Sequence, residues 1–210
     1  MKHWVMGLAA AVLAFPLWAA EVDGDGLHIE PWIRDTFKDL QEDLAEARAE
    51  GKRLAIFVEQ KGCIYCTKMH TEVYSNETIA EYIEQNFFVV RLNLHGATEA
   101  TDTDGQAMTE KDLARKWGIL FTPTVVFLPE EVADDTPAIR AAVAVMPGAF
   151  GKQTTLDMYT WVNEKRYALD NGEDLATAAD RAGHASADTT RRYLRHQKRR
   201  NRAAADKIDF

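Results

Sequence analysis

The chain has 210 residues, enough for one domain with a full hydrophobic core. Hydrophobic residues make up 46% and charged residues 28%, an ordinary globular balance without internal repeats or low-complexity tracts. With 33 acidic against 25 basic residues, the net charge of −8 argues against nucleic-acid binding by the body of the protein.

Residues 1–20 read as a secretory signal peptide. Lys2 and His3 give a basic start, residues 5–17 are apolar, and Leu17-Trp18-Ala19-Ala20 ends in small residues. Cleavage is imperfectly specified, because a cut after Ala20 or Ala19 leaves bulky Trp18 or Leu17 three positions back. An uncleaved N-terminal anchor therefore stays open, although the run falls short of the ~20 residues that span a bilayer comfortably. Export would carry the chain to an oxidising compartment.

Residues 21–30 are rich in Gly and Asp and read as a flexible lead-in. Asp35 can cap a helix that carries Phe37, Leu40, Leu44 and Ala47 on one stripe and stops at Gly51. Residues 54–58 form a short apolar run suited to a buried strand. A turn containing Gly62 follows, then Cys63-Ile64-Tyr65-Cys66 and a helical pattern through Tyr74, with Met69 and Val73 at helical spacing.

These are the only two cysteines in the sequence, and their spacing lets a disulfide close with little loop to order. A helix starting at Cys63 points free N–H groups and the positive end of its dipole at that sulfur. Such a setting lowers a cysteine pKa from about 8.5 to about 3.5–7.5. Cys63 is thus expected to be the exposed nucleophile and Cys66, one turn in, the buried resolving thiol. A structural zinc site would need a second Cys/His pair, and a c-type haem site a His where Thr67 stands. A plain structural bridge over so short a loop would constrain little of the unfolded chain. Redox chemistry is the leading reading. A soft-metal site using Cys63, Cys66, Met69 and His70 is the alternative.

Asn76 opens a second helix with Ile79, Tyr82 and Ile83 inward, and residues 87–92 form the next strand, giving a parallel βαβ unit. Residues 95–108 read as a surface insertion. Asp102, Asp104 and Gly105 resemble a calcium loop, but the terminal bidentate Glu and the helix–loop–helix context are missing, so no metal is assigned. Thr109 caps a helix with Leu113 and Trp117 inward, ended by Gly118. Phe121-Thr122-Pro123-Thr124 heads a strand to Phe127, where a proline costs a ladder hydrogen bond and so needs a reason. Residues 139–145 suggest a further strand, Met146-Pro147-Gly148 a turn, and residues 154–169 a closing helix with Leu156, Tyr159 and Val162 inward.

Together these features resemble the thioredoxin fold, an α/β architecture with a central mixed sheet of about four to five strands flanked by helices. More narrowly, Glu59-Gln60-Lys61-Gly62-Cys63-Ile64-Tyr65-Cys66, Leu92-Asn93-Leu94 and residues 114–124 (ARKWGILFTPT) resemble SoxW-like periplasmic thioredoxins of bacterial sulfur oxidation. The electron-delivering domain of DsbD-type reductases is a more distant relative. The resemblance covers about residues 30–170, so residues 31–170 are taken as the thioredoxin-like domain.

This resemblance implies a periplasmic thiol–disulfide reductase acting on exported proteins, in sulfur oxidation or cytochrome c maturation. It needs no cofactor, takes electrons from a membrane protein of the CcdA or DsbD type, and works as a monomer. It implies that Cys63 attacks, that Cys66 resolves, and that Gly62, Ile64, Tyr65, Thr122 and Pro123 meet the substrate. Pro123 would be cis and face the sulfurs; the other reading is an ordinary trans proline starting an edge strand. Two departures stand out. Gly62 replaces the Trp that cytosolic thioredoxins carry before the first cysteine, and Phe57 occupies the position of their buried Asp. Glu59, the nearest acid on that strand face, or a water would then take the proton role.

Residues 171–210 fall outside this pattern and read as a basic C-terminal extension, helical or disordered. Their segment from Arg181 through His184 and Tyr193 to Arg195 resembles the last motif of tyrosine recombinases. The upstream arginines, lysine and catalytic box of that chemistry are missing, so nucleic-acid contact is not expected.

Overall fold

The computed structural model describes residues 21–167. The signal-like segment 1–20 and the extension 171–210 lie outside the described residues. Among the described residues, no helix is long and apolar enough to cross a membrane.

A five-stranded mixed sheet forms the centre. Strands β1 (Ile33–Arg34), β2 (Arg53–Glu59) and β3 (Phe87–Asn93) are joined by β6 (Thr124–Phe127) and β7 (Ala144–Pro147), in the order β1-β3-β2-β6-β7. Strand β3 runs parallel to β1 and β2, whereas β6 and β7 are antiparallel to their neighbours. The parallel β2/β3 pair needs a crossover, which the dithiol helix supplies. Helix α2 (Ile64–Lys68) passes without a break into a π-helical turn (Met69–Tyr74), and α3 (Glu77–Asn86) follows.

Strand β2 is buried along its whole length, and its alternation decides what meets what. Leu54, Ile56 and Val58 pack with Leu40, Leu113 and Trp117 beneath α1 (Leu40–Ala49) and α4 (Glu110–Lys116). Ala55 and Phe57 face the other way, toward Met69, Tyr74, Ile83 and, on α6 (Lys152–Asn163), Tyr159. Glu59 continues that second set, so it lies on the face covered by the dithiol helix.

Four details differ from the sequence-based expectations. Helix α1 is capped by Asp39, not Asp35: its Oδ1 accepts from Gln41 N at 3.0 Å and Glu42 N at 3.2 Å. Lys38, with a φ of 60°, turns the chain just before it and leaves Phe37 outside the helix, 93% exposed.

The lead-in 21–30 is packed rather than loose. Val22 bridges His28, Leu27 and His28 are buried, and Arg91 donates to the His28 carbonyl and the Asp23 carboxylate.

The insertion is only partly a surface feature. It contains a hairpin, β4 (Glu99–Thr101) and β5 (Ala107–Thr109), and it carries Asp102 into the interior. There Asp102 accepts from Trp117 Nε1 at 3.0 Å and from Ala138 N at 2.9 Å.

That last bond also explains the fourth difference. The expected strand 139–145 begins instead with a short helix, α5 (Ala138–Ala141), started at Pro137 and pinned by Asp102, and the edge strand β7 comes later. Met146 and Pro147 belong to β7 and only Gly148, with a φ of 94°, turns. A proline is tolerated there because β7 is an edge.

Candidate active site

Cys63 and Cys66 form a disulfide with their Cα atoms 5.2 Å apart. Gly62, with a φ of 72°, makes the tight entry; the conformation alone favours glycine, since an added Cβ would meet nothing within 4 Å. Cys63 is the N-cap of α2, and its Sγ accepts from Cys66 N at 3.0 Å. Contrary to the expected exposed nucleophile, Cys63 is buried, with 6% of it meeting solvent, because Thr122 lies against its sulfur; Cys66 has no exposure at all, as expected.

The Thr122–Pro123 peptide bond is cis and lies against Cys63. Thr122 Oγ1 donates to Cys63 Sγ at 3.3 Å, and Thr122 O lies 3.5 Å from the same sulfur. Gly148 N donates to Pro123 O at 2.7 Å and ties this segment to β7. Ile64 and Tyr65 are 74% and 59% exposed beside the dithiol, while Leu120 and Phe121 are 77% and 66% exposed on the segment leading to Thr122. Leu120 and Phe121 are not among the residues expected to meet the substrate, although the three apolar residues Ile119, Leu120 and Phe121 between the helix-ending Gly118 and Pro123 were an available signal.

Glu59 is fully buried beneath the dithiol helix. His70 Nε2 donates to its Oε1 at 2.8 Å, His28 Nδ1 lies 3.3 Å from the same oxygen, and His28 N donates to Oε2 at 3.3 Å. His70 Nδ1 in turn lies 2.6 Å from Glu30 Oε1, and His28 Nε2 lies 3.1 Å from Thr67 Oγ1. Burial would raise the Glu59 carboxyl, but the hydrogen bonds from His28 and His70 outweigh it and hold it at about 2. Burial likewise opposes charge on His70, and its two carboxylate partners more than compensate, so its pKa is raised. His28 and Glu30 lie far from Glu59 in sequence, and nothing in the spacing signals their meeting.

Ligand atoms of His28, Glu59 and His70 all lie within 4.8 Å of one another. An ion bound by two imidazoles must lie near the plane of each ring, yet the His28 and His70 rings stack with centroids 4.3 Å apart and planes 11° apart. Both His70 nitrogens already face carboxylates, so the cluster fits protons better than a cation. The soft-metal alternative fares no better. Met69 is 1% exposed, and its sulfur accepts from Phe150 N at 3.3 Å.

Residues 40–133 match the family model described as a thioredoxin-like domain. No curated protein matches the sequence. Among solved structures, a thioredoxin from Thermus thermophilus aligns at 24% identity over 64% of this chain and 91% of its own, with a TM-score of 0.49. A thioredoxin-fold protein from Helicobacter pylori aligns at 18% identity over 63% of this chain and 81% of its own, with a TM-score of 0.46. The reduced C-terminal domain of DsbD from Neisseria meningitidis aligns at 12% identity over 59% and 91%, with a TM-score of 0.38. With a dithiol at the head of a helix, a cis-proline segment against it and a mixed five-stranded sheet behind, the chain has a thioredoxin-like α/β fold, and residues 40–133 of it match the thioredoxin-like domain model.

Proposed function

We propose that the protein is an exported thiol–disulfide oxidoreductase that works as a reductase on disulfide-bearing proteins of the periplasm. The observation that carries this reading is the position of Cys63 Sγ, which caps a helix N-terminus and receives both a backbone N–H and the Thr122 hydroxyl. These donors stabilise negative charge on the sulfur that must be the thiolate for attack.

In the forward reaction Cys63 attacks a substrate disulfide and forms a mixed disulfide. Cys66 then attacks the Cys63 sulfur, the internal bond closes, and the substrate leaves as a thiol. Ile64, Tyr65 and the turn at Gly62 bound the dithiol on one side and Thr122 and Pro123 on the other, where an extended substrate segment would lie. Glu59, or a water, takes the proton of Cys66. The SoxW-like motifs favour a monomer recharged by a membrane donor of the CcdA or DsbD type, in sulfur oxidation or cytochrome c maturation. No cofactor is required, because the electrons move between sulfur atoms.

Equilibration of the purified protein with glutathione tests the reading and its direction. A reductase is expected to have a potential well below about −150 mV, and a value at or above that would make it an oxidase. A dithiol that does not exchange with glutathione at all would remove the oxidoreductase assignment.

A further inference from the structure

We propose that the protein's own basic segment, residues 191–202, docks in the cleft between the lead-in and α3, where an acidic rim surrounds an apolar floor. The proposal goes beyond the dithiol chemistry and does not depend on it.

The cleft measures about 690 Å³, with the lead-in and Trp32 on one side, the π-helical turn at its base and α3 on the other. Ile29, Trp32, Tyr74 and Ala80 give it apolar surface. Glu77, Glu81 and Glu84 recur at helical spacing and so share one face of α3, while Glu21 and Glu30 come from the lead-in. No lysine or arginine lines the cleft. Glu30 is engaged by His70, whose Nδ1 lies 2.6 Å from its Oε1; among the described residues no ion pair reaches Glu21, Glu77, Glu81 or Glu84. These carboxylates repel one another, and a cationic occupant relieves the repulsion. A second observation points the same way. Trp32 is 4% exposed, yet its buried Nε1 has no acceptor among the described residues, although buried donors are almost always paired.

Charge and reach identify the occupant. Residues 191–202 (RRYLRHQKRRNR) hold seven basic and no acidic side chains, in a chain whose net charge is −8. Guanidinium groups bind carboxylates through paired donors and lie flat on aromatic rings, so arginines suit both the rim and the floor. Tyr193 and Leu194 add apolar cover, and a peptide carbonyl of the segment would accept from Trp32 Nε1. The chain also leaves the domain beside α3. Near the end of α6, Asn163 Nδ2 donates to Tyr82 Oη at 3.1 Å and to Asn86 Oδ1 at 3.0 Å, both on α3. Residues 168–190 follow, and even at the helical rise of about 1.5 Å per residue they span roughly 35 Å, the breadth of a small domain. The segment therefore reaches the cleft of its own chain, where tethering gives it an effective concentration on the order of millimolar.

The test is zero-length carbodiimide cross-linking of the full chain, read by mass spectrometry on a mixture of nitrogen-14 and nitrogen-15 protein. Lys198 is the only lysine in the segment. It is expected to join Glu77, Glu81 or Glu84 within one chain, with a yield that falls about tenfold from about 0.01 M to about 1 M salt, as the screening length drops from about 30 Å to about 3 Å. In the triple variant Glu77→Gln, Glu81→Gln, Glu84→Gln, tryptic cleavage within 191–202 should be about tenfold faster than in wild type at low salt and equal to it at high salt. The salt series needs no variant, so it decides the matter even if the triple variant folds poorly. Lys198 joined only to acids outside the cleft, or only to a second chain, would overturn the proposal. So would a cross-link yield indifferent to salt, or cleavage of wild type as fast as that of a well-folded triple variant.

Discussion

His70 Nε2 and Glu59 Oε1 lie 2.8 Å apart with neither side chain exposed, so an ion pair is held inside the apolar layer beneath the dithiol helix. Its effect on stability has two limbs. Glu59, lowered from 4.5 to about 2, contributes stability above pH 4.5 that is lost as the pH falls toward 2. His70, raised from 6.5, contributes stability fully present below pH 6.5 that is lost as the pH rises through its folded value. Urea unfolding should therefore show greatest stability between the two limbs. The Glu59 contribution is on the order of 3 kcal/mol, at 1.36 kcal/mol per unit. Glu59→Gln should flatten the acid limb, and an acid limb of full size in that variant would contradict the pairing.

Asp43 presents the opposite sign. It is 3% exposed on α1 and accepts from Thr36 Oγ1 at 3.2 Å. Burial raises it to about 6, the Thr36 bond only partly offsets this, and Asp39, Glu46 and Glu42 add to it. The stability it contributes is complete below pH 3.8 and is lost as the pH rises through about 6. Asp43→Asn should accordingly stabilise the protein at pH 7 by on the order of 3 kcal/mol and leave it unchanged near pH 3.5. Equal unfolding midpoints at pH 7 would contradict this.

The sheet and the dithiol were legible in the sequence because each is written in consecutive residues. The runs at 54–58 and 87–92 read as strands, Gly62 and the cysteines read as a turn and a helix start, and Asn76 and Thr109 read as caps whose hydroxyl or amide oxygens accept as expected. What escaped depends on contacts between distant residues. Ala138 starts a helical turn because Asp102 accepts its N–H, a pairing 36 residues apart. His28 and Glu30 enter the interior because Arg91 and Glu59 hold the lead-in, which composition alone marks as loose. Local pattern carries no information about such pairings.

Thr122 illustrates how a single hydroxyl sets reactivity. Its Oγ1 donates to Cys63 Sγ at 3.3 Å, and a hydrogen bond to a charged group contributes about 1.5 kcal/mol or more. Thr122→Val keeps the shape and removes the donor. Alkylation of reduced Cys63 by iodoacetamide at pH 7 should slow about tenfold, since 1.4 kcal/mol is a factor of ten. An unchanged rate would show that the hydroxyl does not act on the thiolate.

The exposed pair Leu120 and Phe121 should separate protein substrates from small ones. A Leu120→Ser, Phe121→Ser double variant is expected to raise KM for a protein disulfide about tenfold, with little change for glutathione disulfide. Its stability should stay within about 0.5 kcal/mol of wild type, because both side chains already meet solvent. Equal loss with both substrates would place these residues outside the substrate surface.

The most direct measurement compares Cys66→Ser with Cys63→Ser, each reduced and exposed to a disulfide-bonded protein, and counts the mixed disulfides that persist. The account requires stable adducts through Cys63 in the first variant and few or none in the second, because only Cys63 carries the helix-terminal and Thr122 donors. Adducts forming equally through Cys66, or in neither variant, would contradict it.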